Sequence, residues 1–539
     1  MKNNILKLIT FSVLLTGVMA SCEKKLDIKP TNDLQPDDVF TKVAGYRGSF
    51  AKIYAAFALT GNSGPAGNGD VQGLDEGFSD FSRCLWKAQE LSTDEAVIAW
   101  GDAGIQDFHN MNWSGDNQFL LPIYYRSFYQ ITLVNNFLNQ STDAKLAANG
   151  ITNATDLENI KAYRQEARFI RAFQYWILMD LFGNPAFVDE TTSEAVLAGT
   201  LPPQISRADL FEYIEDELMA IEPDLKAPRT NQYGRVDKAA VWSLLARIYL
   251  NAKVYTGTER NTDAITYSKK VIDEGGYALM DNYRNLMLSD NNIGNTEFIL
   301  TINHDGLYTQ SYGGTTFLTH ASVGGSMPAI ASGVNGGWGG IRATSALYDL
   351  FKAGFSSDQR GQFYTNGQSE EIKDQTKFTD GIAVNKFRNV KRDGSPGQSL
   401  EFSDVDFPLF RLAEQYLIYA EAVIRGGTGG SSATALEYLN KLRYRAFGGG
   451  YGPSNIGQLY NSDLNLETIL QERSRELYWE GFRRTDLIRF DKFTSSTYVW
   501  PWKGGVKAGT GVEDYKNLYP IPTKEVVGNA NIKQNAGYN

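Results

Sequence analysis

Three large aromatic residues in this chain stand where helices and strands are least expected. Trp100 precedes Gly101-Asp102-Ala103-Gly104, Tyr312 precedes Gly313-Gly314, and Trp338 is bracketed by Gly336-Gly337 and Gly339-Gly340. Glycine loses too much backbone freedom to favour element interiors, so these settings read as irregular loops. A large ring on a loop has little local packing, and leaving it exposed needs a reason. The chemistry such rings perform is stacking: a flat π-face covers the apolar CH face of a sugar without asking for hydrogen bonds. At about 25 cal/mol/Å² the gain is roughly 1–2 kcal/mol per stacked ring. The bland alternative is three unrelated loop aromatics. Trp86, Trp113, Tyr308, Trp500 and Trp502 are weaker candidates, because no spacing ties them to the same surface.

Other chemistries find less support. The chain has only two cysteines, Cys22 and Cys84, and three scattered histidines, His109, His304 and His320, with no metal-ligand spacing. A zinc enzyme and a disulfide framework are both disfavoured. No cofactor is expected, although acidic loops such as 290–292 leave room for a structural Ca²⁺. Glu472 and Glu476, with Arg473 and Arg475 interleaved, have the i, i+4 spacing of a salt-bridged helix face rather than a catalytic acid pair. Glu166, Arg168 and Arg171 are read as helix locks. Trp176, Trp242 and Trp479 fall inside helical periodicity and are assigned to the core.

The elements that must position these residues are mainly helical. Ile160, Tyr163, Ala167, Ile170, Phe173, Ile177 and Leu181 keep 3–4 spacing until Gly183-Asn184-Pro185 stops them. Leu210 to Ile221, a helix after Asp237 marked by Trp242, Ala246 and Tyr249, and another through Ala264, Tyr267 and Val271 follow. A later pair covers 412–425 and 433–445, and one more helix is expected over 466–480. Large aromatics, small alanines and tyrosines on paired helices resemble a degenerate tetratricopeptide pattern. The expected fold is therefore a tetratricopeptide-like helical repeat scaffold with long irregular loops and a few short strands.

The 539 residues carry 52 Lys and Arg against 62 Asp and Glu, a net charge of −10, and no basic run, so nucleic acid is not an expected partner. Residues 1–21 read as an export leader: Lys2 and Lys7, an apolar run from Ile9 to Met19, then Ala20-Ser21 before Cys22. A cysteine there is the pattern of a bacterial lipoprotein, with Cys22 lipidated after cleavage. An ordinary secretion signal is the alternative. Beyond the leader no stretch is long and apolar enough to span a bilayer, so the membrane is reached through the lipid alone.

Several stretches together resemble the SusD/RagB family of outer-membrane nutrient-binding lipoproteins. They are residues 166–183 (EARFIRAFQYWILMDLFG), 234–255 (GRVDKAAVWSLLARIYLNAKVY), 407–422 (FPLFRLAEQYLIYAEA), 471–490 (QERSRELYWEGFRRTDLIRF) and 519–538 (YPIPTKEVVGNANIKQNAGY). Segments 73–100, 312–338 and 495–505 are closer still to the family's starch-binding member. The resemblance implies non-catalytic capture of oligosaccharides, starch-derived ones foremost, at the outer face of the outer membrane, and delivery to a SusC-like TonB-dependent transporter. It implies four regions: a leader at 1–21, a helical region at 22–305, a loop-rich glycan-binding insert at 306–401, and a helical region with an irregular tail at 402–539.

By the same resemblance Trp100, Tyr312 and Trp338 form an aromatic arc, and Arg83 supplies a polar contact beside it. Where the starch-binding member carries an asparagine three residues after the first tryptophan, this chain has Ala103, with Asp102 as a replacement hydroxyl acceptor. Being on loops, these residues should tolerate alanine with little loss of melting temperature. Levan, laminarin or peptides are alternative ligands, and a surface glycoside hydrolase is a remote one, since it needs two carboxylates about 5–10 Å apart in a catalytic frame.

Overall fold

The structure, a computed structural model, describes residues 39–67, 69–352 and 354–538. The expected leader and Cys22 lie outside the described residues. The longer helices, numbered in chain order, are α1 (Val43–Ala55), α2 (Phe81–Glu90), α3 (Leu121–Gln140), α4 (Ala154–Phe182), α5 (Arg207–Ile221), α6 (Lys238–Leu250), α7 (Asn261–Glu274), α8 (Gly314–Ala321), α9 (Leu412–Ile424), α10 (Ser432–Ala446), α11 (Leu466–Leu477) and α12 (Arg483–Arg489). Side-chain caps start many of them: Asn153 accepts from the Asp156 amide, Ser206 from Asp209, and Asp237 from Ala239 and Ala240. Gly183, at φ +74°, ends α4 in a conformation that a side chain resists.

The helices stack as a ladder. α3 packs on α4, α4 on α5, α6 on α7, α7 on α9, and α9 on α10. This is the tetratricopeptide-like, mainly α scaffold that the periodicity implies. Trp176, Trp242 and Trp479 are buried within it, as are Trp86, Trp113 and Trp500. Among the described residues no helix is long and apolar enough to cross a membrane.

Short strands punctuate the ladder: β1 (Val97–Ile98), β2 (Phe298–Ile302), β3 (Ile341–Arg342), β4 (Phe363–Tyr364), β5 (Ala383–Val384) and β6 (Phe407–Arg411). β2 and β6 pair antiparallel, so residues 303–406 leave the helical body and return to it at one place. β1 pairs with β3, Val97 opposite Arg342, which carries Trp100 to the 336–340 glycines.

Two expectations need correction. Residues 314–321 are helix α8, not loop, because Gly313 and Gly314 form its N-terminus rather than its interior. The helix expected over 466–480 stops at Leu477. Trp479 takes φ +65°, its carbonyl accepts the Trp86 indole N–H at 3.1 Å, and the Glu90 carboxylate accepts the Gly481 amide at 2.7 Å. Tertiary partners here outbid helical propensity.

The charged motif is a buried, salt-bridged face between elements rather than a solvated one, the interhelical form of the expected salt-bridged face. Glu472 contacts Arg360 at 2.6 Å and Arg443 at 2.8 Å; Glu476 contacts Arg411 at 2.7 Å and Arg445 at 2.5 Å. Burial alone would raise both carboxyls, but the surrounding arginines hold them well below their ordinary range. Removing one partner from such a network typically costs about 3–5 kcal/mol. Glu166 pairs with Arg235, and Arg168 and Arg171 both reach Glu217, which fastens α4 to its neighbours. At 290–292 the groups that a structural Ca²⁺ would use are spent on loop bridging. The Asp290 carboxylate accepts the Arg392 amide at 3.2 Å, and the Asn291 Oδ1 accepts the Asp406 amide at 3.2 Å. Among the described residues no His, Cys, Asp and Glu cluster is suited to a metal.

Candidate functional site

Trp100, Tyr312 and Trp338, far apart in sequence, form one aromatic surface. The Trp338 ring lies 6.5 Å from that of Trp100 at 43°, and 6.2 Å from that of Tyr312 at 65°. All three are half-buried. The Ala99 amide donates to the Gly340 carbonyl at 2.8 Å, extending the β1–β3 ladder to the site. The glycines have a different task from the one expected. A Cβ on Gly340 would stand 2.7 Å from the Trp100 ring, and one on Gly337 would stand 2.2 Å from the Val323 carbonyl oxygen. They admit neighbours rather than leave the rings unpacked.

The rings rest on residues that nothing in the sequence singled out. His320 lies beneath Trp338 at 4.8 Å and 32°; its Nδ1 is 2.9 Å from the Thr316 carbonyl oxygen and its Nε2 3.2 Å from that of Leu400. Burial lowers the His320 pKa, which favours the neutral ring. Phe317 meets Trp100 edge-on at 6.0 Å, and Phe402 flanks Tyr312 at 5.5 Å. The Tyr312 hydroxyl donates to Glu401 at 3.0 Å, a bond that raises the phenol's pKa. No glycine frames these four supports, and Phe317 and His320 lie on the helix hidden behind Gly313-Gly314. The i, i+3 spacing of Phe317 and His320 was the available signal.

Arg83 is placed under the platform. It lies on α2 and is only 8% exposed. Its Nη1 donates to the Gly77 carbonyl at 2.7 Å and the Tyr312 carbonyl at 2.9 Å, while its guanidinium covers Phe317 at 4.6 Å and Trp100 at 5.4 Å. The expectation that it sits on a loop is overturned. Burial pulls its pKa down to about 10, opposed by nearby carboxylates including Asp80, Asp75 and Asp102, so it stays charged at neutral pH. Asp102 is exposed at the edge, as is Ala103, whose carbonyl accepts from Gln118 at 2.8 Å.

One carboxylate joins the two helices behind the rings. Asp80 Oδ1 accepts the Arg83 amide of α2 at 3.0 Å and the Gly314 amide of α8 at 2.8 Å. A Cβ on Gly313 would stand 2.0 Å from the Asp80 Cβ, which explains that glycine. Trp86, Trp113 and Trp500 are internal and Trp502 donates to the Ile372 carbonyl, whereas Tyr308 is 82% exposed on the loop before Tyr312. The site is a surface and not a hole: cavities of about 740, 620 and 510 Å³ lie elsewhere, lined by other residues.

A family model described as the SusD family matches residues 354–538. Starch-binding protein SusD of Bacteroides thetaiotaomicron is 36% identical, over 98% of this chain and 97% of that protein. Among solved structures, surface glycan-binding protein A from Bacteroides fluxus superposes with a TM-score of 0.69 at 21% identity, covering 92% of this chain and 99% of its own. Surface glycan-binding protein A from Bacteroides thetaiotaomicron, in complex with laminarihexaose, gives 0.67 at 19%, covering 91% and 98%. These two share the fold. Together with a relative this similar along nearly all of both chains, they fix the kinship: the chain belongs to the SusD family.

Proposed function

We propose that this protein is a non-catalytic, lipid-anchored glycan-binding protein of the outer membrane's outer face. It captures oligosaccharides, starch-derived ones foremost, and delivers them to a SusC-like TonB-dependent transporter. The observation that carries this reading is the continuity of Trp100, Tyr312 and Trp338 as one half-exposed surface. The ring planes differ from the central one by 43° and 65°, so the three rings do not lie in one plane. A curved ligand such as a coiled α-glucan stacks on it, where a straight chain meets one ring at a time. Asp102 and Glu401 at the edge are the acceptors for sugar hydroxyls, and Arg83 acts through the Tyr312 backbone that it holds. The likeness to starch-binding SusD supports the choice of glycan.

Residues 306–401, which include Tyr312 and Trp338, are in this reading the glycan-binding insert, between helical regions 22–305 and 402–539. The experiment is isothermal titration against maltoheptaose, levan, laminarin and a peptide digest, with product analysis of each mixture. Retention of intact maltoheptaose is the expected result. Selective retention of another ligand would move the specificity, and release of shorter products would replace the binder with a hydrolase.

A further inference from the structure

A second cavity has the features of a sugar site and lies away from the platform. Arg47, Phe50, Ala51, Tyr54 and Ala55 share one face of α1, at the i, i+3, i+4, i+7, i+8 spacing that ordinarily packs on the next helix. Here they line a cavity of about 510 Å³, closed on the other side by the 232–235 turn and the end of β2. That volume is within the roughly 300–1,000 Å³ of small-molecule sites.

Its lining selects a chemical class. Phe50 and Tyr163 stack at 4.3 Å and 12°, with the Arg235 guanidinium 5.2 Å from each ring centre. Arg235 is matched by Glu166, Nε to Oε2 at 3.0 Å and Nη2 to Oε1 at 2.5 Å, so the wall offers an anion no unbalanced buried cation. The Tyr54 and Tyr233 hydroxyls donate outward to Glu166 at 2.7 Å and Asp406 at 2.9 Å, which leaves their rings to the cavity. Asn303 Oδ1 accepts from Thr301 at 2.6 Å and Gln232 Oε1 from Arg235 at 3.4 Å, so both amides keep N–H donors for a ligand. Ring faces with amide donors and a paired Arg235 suit a neutral, hydroxyl-rich ring; Arg47, the other lining arginine, is solvent-exposed.

We propose that this cavity is a second saccharide site, taking a short neutral sugar of one or two rings. Thr309 lines it and Tyr312 follows three residues later, so the two sites are separated by at most about 11 Å of chain at that point. The inference takes its ligand class from the saccharide reading of the platform and rests on it to that extent.

The test uses the full chain and maltose as probe, read by saturation-transfer NMR in a Trp338→Ala background, with maltoheptaose titrated in parallel. Ala51→Trp fills the cavity from an exposed helix position, and Asn303→Ala removes one donor without filling anything. The expected result is a maltose signal that survives Trp338→Ala, falls at least tenfold with Ala51→Trp, and weakens with Asn303→Ala. No maltose signal in Trp338→Ala, or a signal that neither added substitution reduces, overturns the second site. Equal maltoheptaose affinity in the wild type and in both Trp338→Ala and Trp100→Ala instead overturns the platform, so the two failures are distinguishable.

Discussion

The indole N–H of Trp100 donates to the backbone carbonyl of Trp338 at 3.0 Å, so the first ring of the platform holds the main chain of the second. Trp338→Ala should lose at least about 1 kcal/mol of glycan affinity, roughly fivefold, and Trp338→Phe should keep part of it. Trp100→Ala removes a ring and an anchor together, so its effect should not add to that of Trp338→Ala. A coupling above about 0.5 kcal/mol is expected from titration of the four-member cycle. Unchanged affinity in both single variants would remove the site from this surface.

Arg83 should behave as a buried support. Arg83→Ala leaves the Gly77 and Tyr312 carbonyls without their donor, a loss of about 1–3 kcal/mol of stability, and lets Tyr312 shift. Weaker glycan binding and a lower melting temperature should therefore appear together. If binding falls while the melting curve stays put, Arg83 touches the ligand instead.

Asp80 gives the platform a pH signature. Burial pushes its carboxyl from the ordinary 3.8 up to about 6, and Oδ2 has no hydrogen-bond partner among the described residues. The folded protein thus binds this proton more tightly than the unfolded chain. The associated stability is fully present below about pH 3.8 and is lost as pH rises through about 6. Asp80→Asn keeps the Oδ1 acceptor without the charge, so its stability relative to wild type should rise between pH 5 and 7.5, by about 1.4 kcal/mol for the one unit between pH 5 and the folded pKa of about 6. Asp80→Ala should be less stable than Asp80→Asn throughout, having lost both caps. Denaturation of the three proteins at both pH values decides the matter, and a pH-independent difference between wild type and Asp80→Asn counts against the claim.

Trp242 separates packing from binding. It is 4% exposed on α6, and its indole N–H donates to Glu222 at 2.6 Å. Trp242→Ala should cost about 3–5 kcal/mol of stability. Its glycan affinity, measured well below the melting temperature, should match wild type; a specific loss there would place Trp242 at the ligand.

Anchoring is tested at Cys22. Native protein should partition with membranes and be degraded when intact cells are treated with protease, whereas Cys22→Ala should stay soluble or uncleaved. Gentle detergent extraction of the tagged native protein should bring a transporter with it. Survival under protease would argue against an outward-facing protein, and repeated recovery of the protein alone against the transporter partnership.

The sequence made some of this legible and hid the rest for physical reasons. Helices α4, α5, α7 and α10 stand out because an apolar stripe runs beside a polar face along at least part of each, while α6 and α9 stand out as long, mostly apolar and almost wholly buried runs. α2 escapes that reading although Phe81, Cys84, Leu85 and Ala88 keep 3–4 spacing beside Arg83, Lys87 and Glu90, because it is only ten residues long; in the structure even its polar residues are buried. Glycine hid α8, because a glycine pair at a helix N-terminus looks the same in sequence as one in a loop. At the site the rings were readable from their glycine neighbours. Of their supports, Phe317 and His320 share only an i, i+3 spacing on α8, while Phe402 and Glu401 reach Tyr312 through a contact between distant segments that no local pattern encodes.

The pairing of β2 with β6 also bears on how the chain assembles. In an ordinary helical array each unit meets its sequence neighbour, and order spreads from one unit to the next. Here α7 ends at residue 274 and its packing partner α9 begins at residue 412, so the last stages of the ladder wait on a distant strand. Such non-local closure slows folding, and it leaves the exposed flank of α7 uncovered in the meantime. A growing chain cannot bury that flank until the whole excursion, with two of the three rings of the platform on it, has emerged.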